Sequence, residues 1–139
     1  MLKLIVGVKG SGKTSRLVDE LNTHARDAER NVICIERGNR LDLLVKHHIR
    51  LIDISEYPVN SLDQLLSFIA GMNARDYDIT HIFIDSICKV AGVKITEVNL
   101  TEFVEKLAAL SDQTNTTIYG IVTTDITTLD PSLKKYVVE

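Results

Sequence analysis

Residues 7–14 read Gly-Val-Lys-Gly-Ser-Gly-Lys-Thr, in which three glycines lead into a lysine and a threonine. The spacing matches the pattern G-x-x-x-x-G-K-S/T, whose chemistry is anion capture. Gly7, Gly10 and Gly12 let the backbone wrap with its N–H groups pointing inward, and a helix start adds partial positive charge. In such a loop Lys13 sets an ammonium against the β- and γ-phosphates of a triphosphate, and Thr14 gives its hydroxyl to a magnesium ion. Lys9, read as an exposed loop residue near the phosphates, joins Ser11 and Ser15 in the expected phosphate-contacting set. The alternative is a glycine-rich turn that binds nothing. Against it stands the context. Leu2, Leu4, Ile5 and Val6 enter as a buried strand, and helical periodicity runs from Lys13 to about Arg30.

A second acid stands where a cation needs one. His81-Ile82-Phe83-Ile84 is followed by Asp85. At the carboxyl end of a parallel strand, that carboxylate would share a rim with the glycine loop, where open α/β sheets bind ligands. From there it could hold magnesium through a bound water. The alternative is an Asp that only caps the next turn. Cys34 and Cys88 lack any C-x-x-C partner and read as buried, reduced thiols. His47 and His48 are adjacent and would diverge on a helix, so no zinc site follows.

The elements that must position these residues alternate between apolar runs and amphipathic stretches, an α/β pattern. Leu17, Leu21, Ala25 and Ala28 share one helix face; Val32–Ile35 reads as a second strand. A short helix is expected over Leu41–His47 with Leu41, Leu44 and Val45 inward, then a strand through Leu51, Ile52 and Ile54. Ser61 to Gln64 opens a helix running to about Asn73, and Asn99 with Glu102 opens another. Ser86–Val98 shows no clear periodicity and reads as a loop or irregular helix. Ile118–Val122 is a further strand, and Tyr136–Val138 a last short edge strand. Continuous apolar runs argue for a mostly parallel sheet of five or six strands, covered on both faces as a three-layer α/β/α sandwich.

The 139 residues bound one domain, residues 1–139, and the 45% hydrophobic and 25% charged shares are ordinary for a globular chain. A formal charge of −3 gives no reason to expect nucleic acid or an anionic membrane as partner. No apolar stretch approaches the ~20 residues of a membrane span, and no signal segment leads the chain, so a cytoplasmic location is expected.

With the glycine-loop and Asp85 motifs, the chain resembles the P-loop NTPase superfamily across its core. In element order it is similar to small RecA-like domains and to the nucleotide-binding core of type II thymidine kinases. The resemblance implies a P-loop NTPase fold with a strand inserted between the glycine-loop strand and the Asp85 strand, and Thr123 or Thr124 aimed at the γ-phosphate as a polar sensor. It implies ATP and Mg2+ as cofactors, an ATP hydrolase activity, and assembly into a homo-oligomer in which a neighbour's arginine completes the site. Arg37, Arg40 and Arg75 are the candidates for that arginine.

The departures are informative. Where many relatives carry a glutamate directly after the strand-terminal acid, this chain has Ser86. RecA-like domains instead carry the base after the second strand, a position that Glu36 matches, so Glu36 is the candidate general base. The alternative is a solvated strand-end charge. Slow hydrolysis is expected over fast turnover. Thr123-Thr124-Asp125 replaces the N-K-x-D element of small GTPases, which favours ATP over GTP. Two other readings stay open: a non-hydrolysing nucleotide-sensing module, and a small nucleoside or nucleotide kinase. The kinase reading lacks late arginines, all of which lie at or before Arg75, and lacks four lasso cysteines; Lys89 and Lys94 remain to touch a phosphate.

Overall fold

The computed structural model describes residues 1–27, 29–41, 44–45 and 48–138. Five strands form one sheet: β1 (Leu2–Gly7), β2 (Val32–Glu36), β3 (Arg50–Asp53), β4 (His81–Asp85) and β5 (Thr117–Thr123). They lie in the order β1-β5-β4-β2-β3, and every neighbouring pair is parallel. β5 thus separates the glycine-loop strand from the Asp85 strand.

The apolar runs divide residue by residue between two faces, as the two-residue side-chain period of a strand requires. Cys34, Phe83, Tyr119 and Ile121 pack against Leu17, Leu21 and Ala25 of helix α1 (Lys13–Ala25). Their strand neighbours Ile35, Ile82, Ile84 and Val122 join the opposite core. That second face is covered by α2 (Leu62–Arg75), α3 (Ile87–Ala91) and α4 (Leu100–Gln113), through residues such as Leu65, Ile69, Val90, Val104 and Leu107. The result is three layers, with the carboxyl ends of all five strands on one rim.

Both expected helix starts are built as caps. Ser61 Oγ accepts from Gln64 N at 3.1 Å and Gln64 Oε1 from Asn60 N at 2.6 Å; Asn99 Oδ1 accepts from Glu102 N at 3.0 Å. Each cap is worth about 1 kcal/mol. α3 reaches the sheet because β5 carries Gly120 beneath it. A Cβ there would stand 2.7 Å from Ile87 Cδ1, an overpacking that costs about 1–3 kcal/mol.

Three expectations are revised, and the irregular reading of Ser86–Val98 holds. α1 stops at Ala25 rather than near Arg30, because Asp27 turns the chain: its Oδ1 accepts from Glu29 N at 2.9 Å and its carbonyl from Arg30 N at 3.0 Å. Ala28, expected on the inner face, lies outside the described residues, as do Asp42, Leu43, Lys46 and His47 of the expected Leu41–His47 helix. Leu41 is buried as expected, whereas Leu44, expected inward, is 54% exposed. Ser86–Val98 holds the five-residue α3 and a 3-10 turn at Ile95–Glu97. No sixth strand joins the sheet among the described residues: Pro131–Tyr136 is a 3-10 helix, and Val137 makes one isolated parallel bridge to Leu4. None of the described helices is long and apolar enough to cross a membrane.

At the start of β4, on the α1 side, the His81 ring stacks on His24 with centroids 4.3 Å apart. Burial, followed by the charges of His24, Arg30 and Lys3, pushes His81 down to about 4. Burial and Arg30 lower His24 as well, against the opposing pull of Glu20. Both rings fold neutral, whereas the unfolded chain protonates them near pH 6.5. Their contribution is therefore full above that pH and lost as pH falls through the folded value, at up to about 1.4 kcal/mol per pH unit for each proton. The urea midpoint is expected to drop between pH 7 and pH 5, and to drop less in His81→Gln.

Candidate functional site

β1 ends at Gly7, and the backbone passes through Gly10 (φ 82°) and Gly12 (φ 83°) before α1 begins at Lys13. Both angles are left-handed and disfavour any residue with a Cβ. Ser11 N donates to Val8 O at 3.2 Å, which rounds the loop. Gly7 lies directly under Ser11: a Cβ on it would meet Ser11 Oγ at 2.5 Å. Thr124 N donates to Gly7 O at 3.0 Å, fastening the end of β5 beside the loop.

Two contacts define the chemistry. Lys13 is only 8% exposed, and its Nζ donates to Val8 O at 2.6 Å, so the ammonium is folded beneath the loop. Thr14 Oγ1 donates to Asp85 Oδ2 at 3.2 Å, joining the first turn of α1 to the end of β4 across 71 positions of sequence. Asp85 itself is buried. A hydroxyl and one carboxylate on adjacent elements make a hard oxygen pair of the kind that holds magnesium when phosphates and water supply the remaining ligands. Among the described residues there is no group of three or more His, Cys, Asp or Glu placed to hold a metal by itself.

These residues border an open cleft of about 510 Å³. Lys9, Lys13, Arg40 and Lys89 supply four cations around it, against the single carboxylate of Asp85. A positive cleft on a chain of formal charge −3 is a local arrangement rather than a bulk property. Thr14, Ser86 and Thr123 add hydroxyls, and Val93, Ile95 and Ile121 an apolar wall.

The expected site residues therefore converge in large part. Lys9, Gly10, Lys13, Thr14, Asp85 and Thr123 line one cleft. Gly7 and Gly12 shape the loop without lining it, and Ser11 and Ser15 are exposed beside it. Glu36 stands level with Asp85 on the neighbouring strand and is 2% exposed. It lines a separate recess of about 350 Å³ beside Gly38 and Asp53. Its Oε2 accepts from Leu41 N at 3.2 Å, while Oε1 is buried without a hydrogen-bond partner among the described residues. Burial pushes the Glu36 carboxyl up, with the Asp85 charge adding to it and backbone N–H groups of Leu41 and Arg40 opposing.

The arginines separate clearly. Arg37 donates Nε to Lys89 O at 3.0 Å and Nη2 to Val59 O at 3.1 Å and Val90 O at 2.8 Å, which bolts the loop after β2 to α3. Arg75 lines a different groove with Tyr57 and Phe68. Arg40, expected from a neighbouring subunit, borders the cleft of its own chain. The available signal was its place four residues beyond Glu36 across a glycine turn. Lys89 reaches the cleft and Lys94 does not line it. Cys34 is buried, but Cys88 is half-buried and borders the cleft, with its thiol pushed up by burial.

No known protein-family model matches this chain, and no curated protein matches it in sequence.

Proposed function

We propose that this chain is an ATP-binding, magnesium-dependent P-loop NTPase whose slow hydrolysis is coupled to a conformational or assembly change. One observation carries the reading: Thr14 Oγ1 and Asp85 Oδ2 meet at 3.2 Å on a cleft ringed by Lys9, Lys13, Arg40 and Lys89. A triphosphate is a ligand whose charge suits four cations around a glycine loop at a helix start.

In this reading the loop amides cradle the phosphates and the Lys13 ammonium leaves Val8 O for the β- and γ-oxygens. Thr14 and Asp85 would hold magnesium, which when bound supplies neutralising charge to those phosphates. Thr123, at the end of β5 beside Gly7, would sense the γ-phosphate. Glu36 would act as general base through Oε1, the oxygen without a hydrogen-bond partner among the described residues, while Oε2 keeps the Leu41 N–H; its place in a separate recess fits slow rather than fast turnover.

Ser86 favours a second reading. It borders the cleft directly after Asp85 and has no carboxylate to orient water, as expected of a module that binds nucleotide without cleaving it. Incubation with magnesium and ATP separates the two. Release of ADP and phosphate that falls at least about 100-fold in Glu36→Gln, with binding retained, supports the hydrolase. Tight binding with no release from the parent supports the sensor.

A further inference from the structure

We infer that Arg40 completes the site within one chain: its guanidinium meets the terminal phosphoryl group as charge develops there, so no neighbouring subunit is needed to supply an arginine. The inference rests on the nucleotide reading above and extends it to the catalytic unit.

Hydrolysis joins a water oxygen to the terminal phosphorus while the bond from that phosphorus to the bridging oxygen breaks. The products are the diphosphate, inorganic phosphate and a proton released to solvent. Negative charge rises on the bridging and peripheral oxygens during this exchange, and a fixed planar cation stabilises it most when it needs no reorganisation. Arg40 is the arginine that lines the cleft among the described residues. Asp85, the carboxylate bordering that cleft, is bonded by Thr14, and Arg40 enters no ion pair among the described residues.

The segment that carries Arg40 is short and held at three points. On its β2 side Arg37 is anchored on the carbonyls of Val59, Lys89 and Val90. In its middle Gly38, at φ 108°, donates its N–H to Asp53 Oδ1 at 2.8 Å. Beyond Arg40, Leu41 N donates to Glu36 Oε2 at 3.2 Å, and the Leu41 side chain is buried in the α1-side core. A turn closed in this way holds the Arg40 backbone beside the cleft that its residue borders, without a lid to carry it. Neither of the other two candidates serves its own chain's cleft: Arg37 is spent on three carbonyls, and Arg75 lies in a groove away from it.

The test measures turnover of magnesium-ATP beside its equilibrium binding, for the parent, Arg40→Ala and Arg40→Lys. Arg40 is exposed, so its truncation removes no core contact, and circular dichroism checks the fold. The expected result is a kcat lowered about 100-fold or more in Arg40→Ala, partial recovery in Arg40→Lys, and a Kd within about threefold of the parent. Turnover per chain should not change with protein concentration. Mixing Arg40→Ala with Lys13→Ala chains should restore nothing, because neither chain holds a whole site. Restoration on mixing, or turnover per chain that climbs with concentration, overturns the inference in favour of a neighbour's arginine. An unchanged kcat in Arg40→Ala, or a parent that binds without turning over, overturns it while leaving the nucleotide site intact. A parent that does not bind magnesium-ATP overturns the nucleotide reading itself.

Discussion

Lys13→Ala is expected to weaken magnesium-ATP binding by about 100- to 1000-fold while the protein stays folded. The ammonium is the most buried of the four cations around the cleft, and in the nucleotide complex it would make charge-assisted bonds to two phosphates. Two such bonds at about 1.5–2 kcal/mol each give about 3–4 kcal/mol, which is two to three decades in Kd. The cost to the free protein is smaller. Alanine gives up one bond, Nζ to Val8 O at 2.6 Å, worth about 1 kcal/mol net. It also removes a positive charge that burial penalises. Calorimetric titration reads the first effect, and the thermal midpoint, moved by no more than about 5 °C, reads the second. Binding as tight as the parent's would show that the phosphates are held elsewhere.

The difference between those two energies explains what can be read from the sequence. Loop, strand and helix are legible because each is specified locally: φ near +80° at Gly10 and Gly12 favours glycine, and the short apolar run Leu4-Ile5-Val6 ending at a glycine turn fits a strand covered on both faces. The pairing of Thr14 with Asp85 is legible at one remove, since a parallel sheet puts all strand carboxyl ends on one rim. The position of β5 between β1 and β4 follows from the resemblance in element order and is present in the sheet.

Other features depend on tertiary context. Whether Glu36 faces the cleft is decided by the Leu41 amide that holds Oε2, and by the packing that closes Oε1 away from solvent. Whether Arg40 serves its own chain or another depends on where Arg37 and Gly38 fasten the turn. Neither leaves a periodic signal. The expected edge strand at Tyr136–Val138 fails for a related reason. Asp130 Oδ1 accepts from Ser132 N at 2.9 Å and starts a 3-10 helix with Pro131, which consumes the residues before Val137 can extend along β1.

Asp85→Asn should separate cation dependence from nucleotide binding. In the parent, magnesium is expected to tighten ATP binding, because in the proposed complex Asp85 and Thr14 would offer it oxygen ligands beside the phosphates. Asparagine is nearly isosteric and retains an oxygen that can accept the Thr14 hydroxyl, so the 3.2 Å contact survives while the charge is lost. The magnesium-dependent part of the affinity should disappear and turnover should fall at least about 100-fold, leaving weaker binding that added magnesium no longer improves. The unliganded protein should behave in the opposite sense. Asp85 is 5% exposed and stands level with buried Glu36 across β2 and β4, so two carboxyls share a desolvated strand end. Removing one negative charge relieves that repulsion, and the urea midpoint should hold or rise. A variant that gains stability while losing its response to magnesium would mark the carboxylate as retained for a cation rather than for the fold. Thr14→Ala should reproduce the lost response and Thr14→Ser should preserve it. If Asp85→Asn keeps the parent's full magnesium dependence, the cation is bound by other groups.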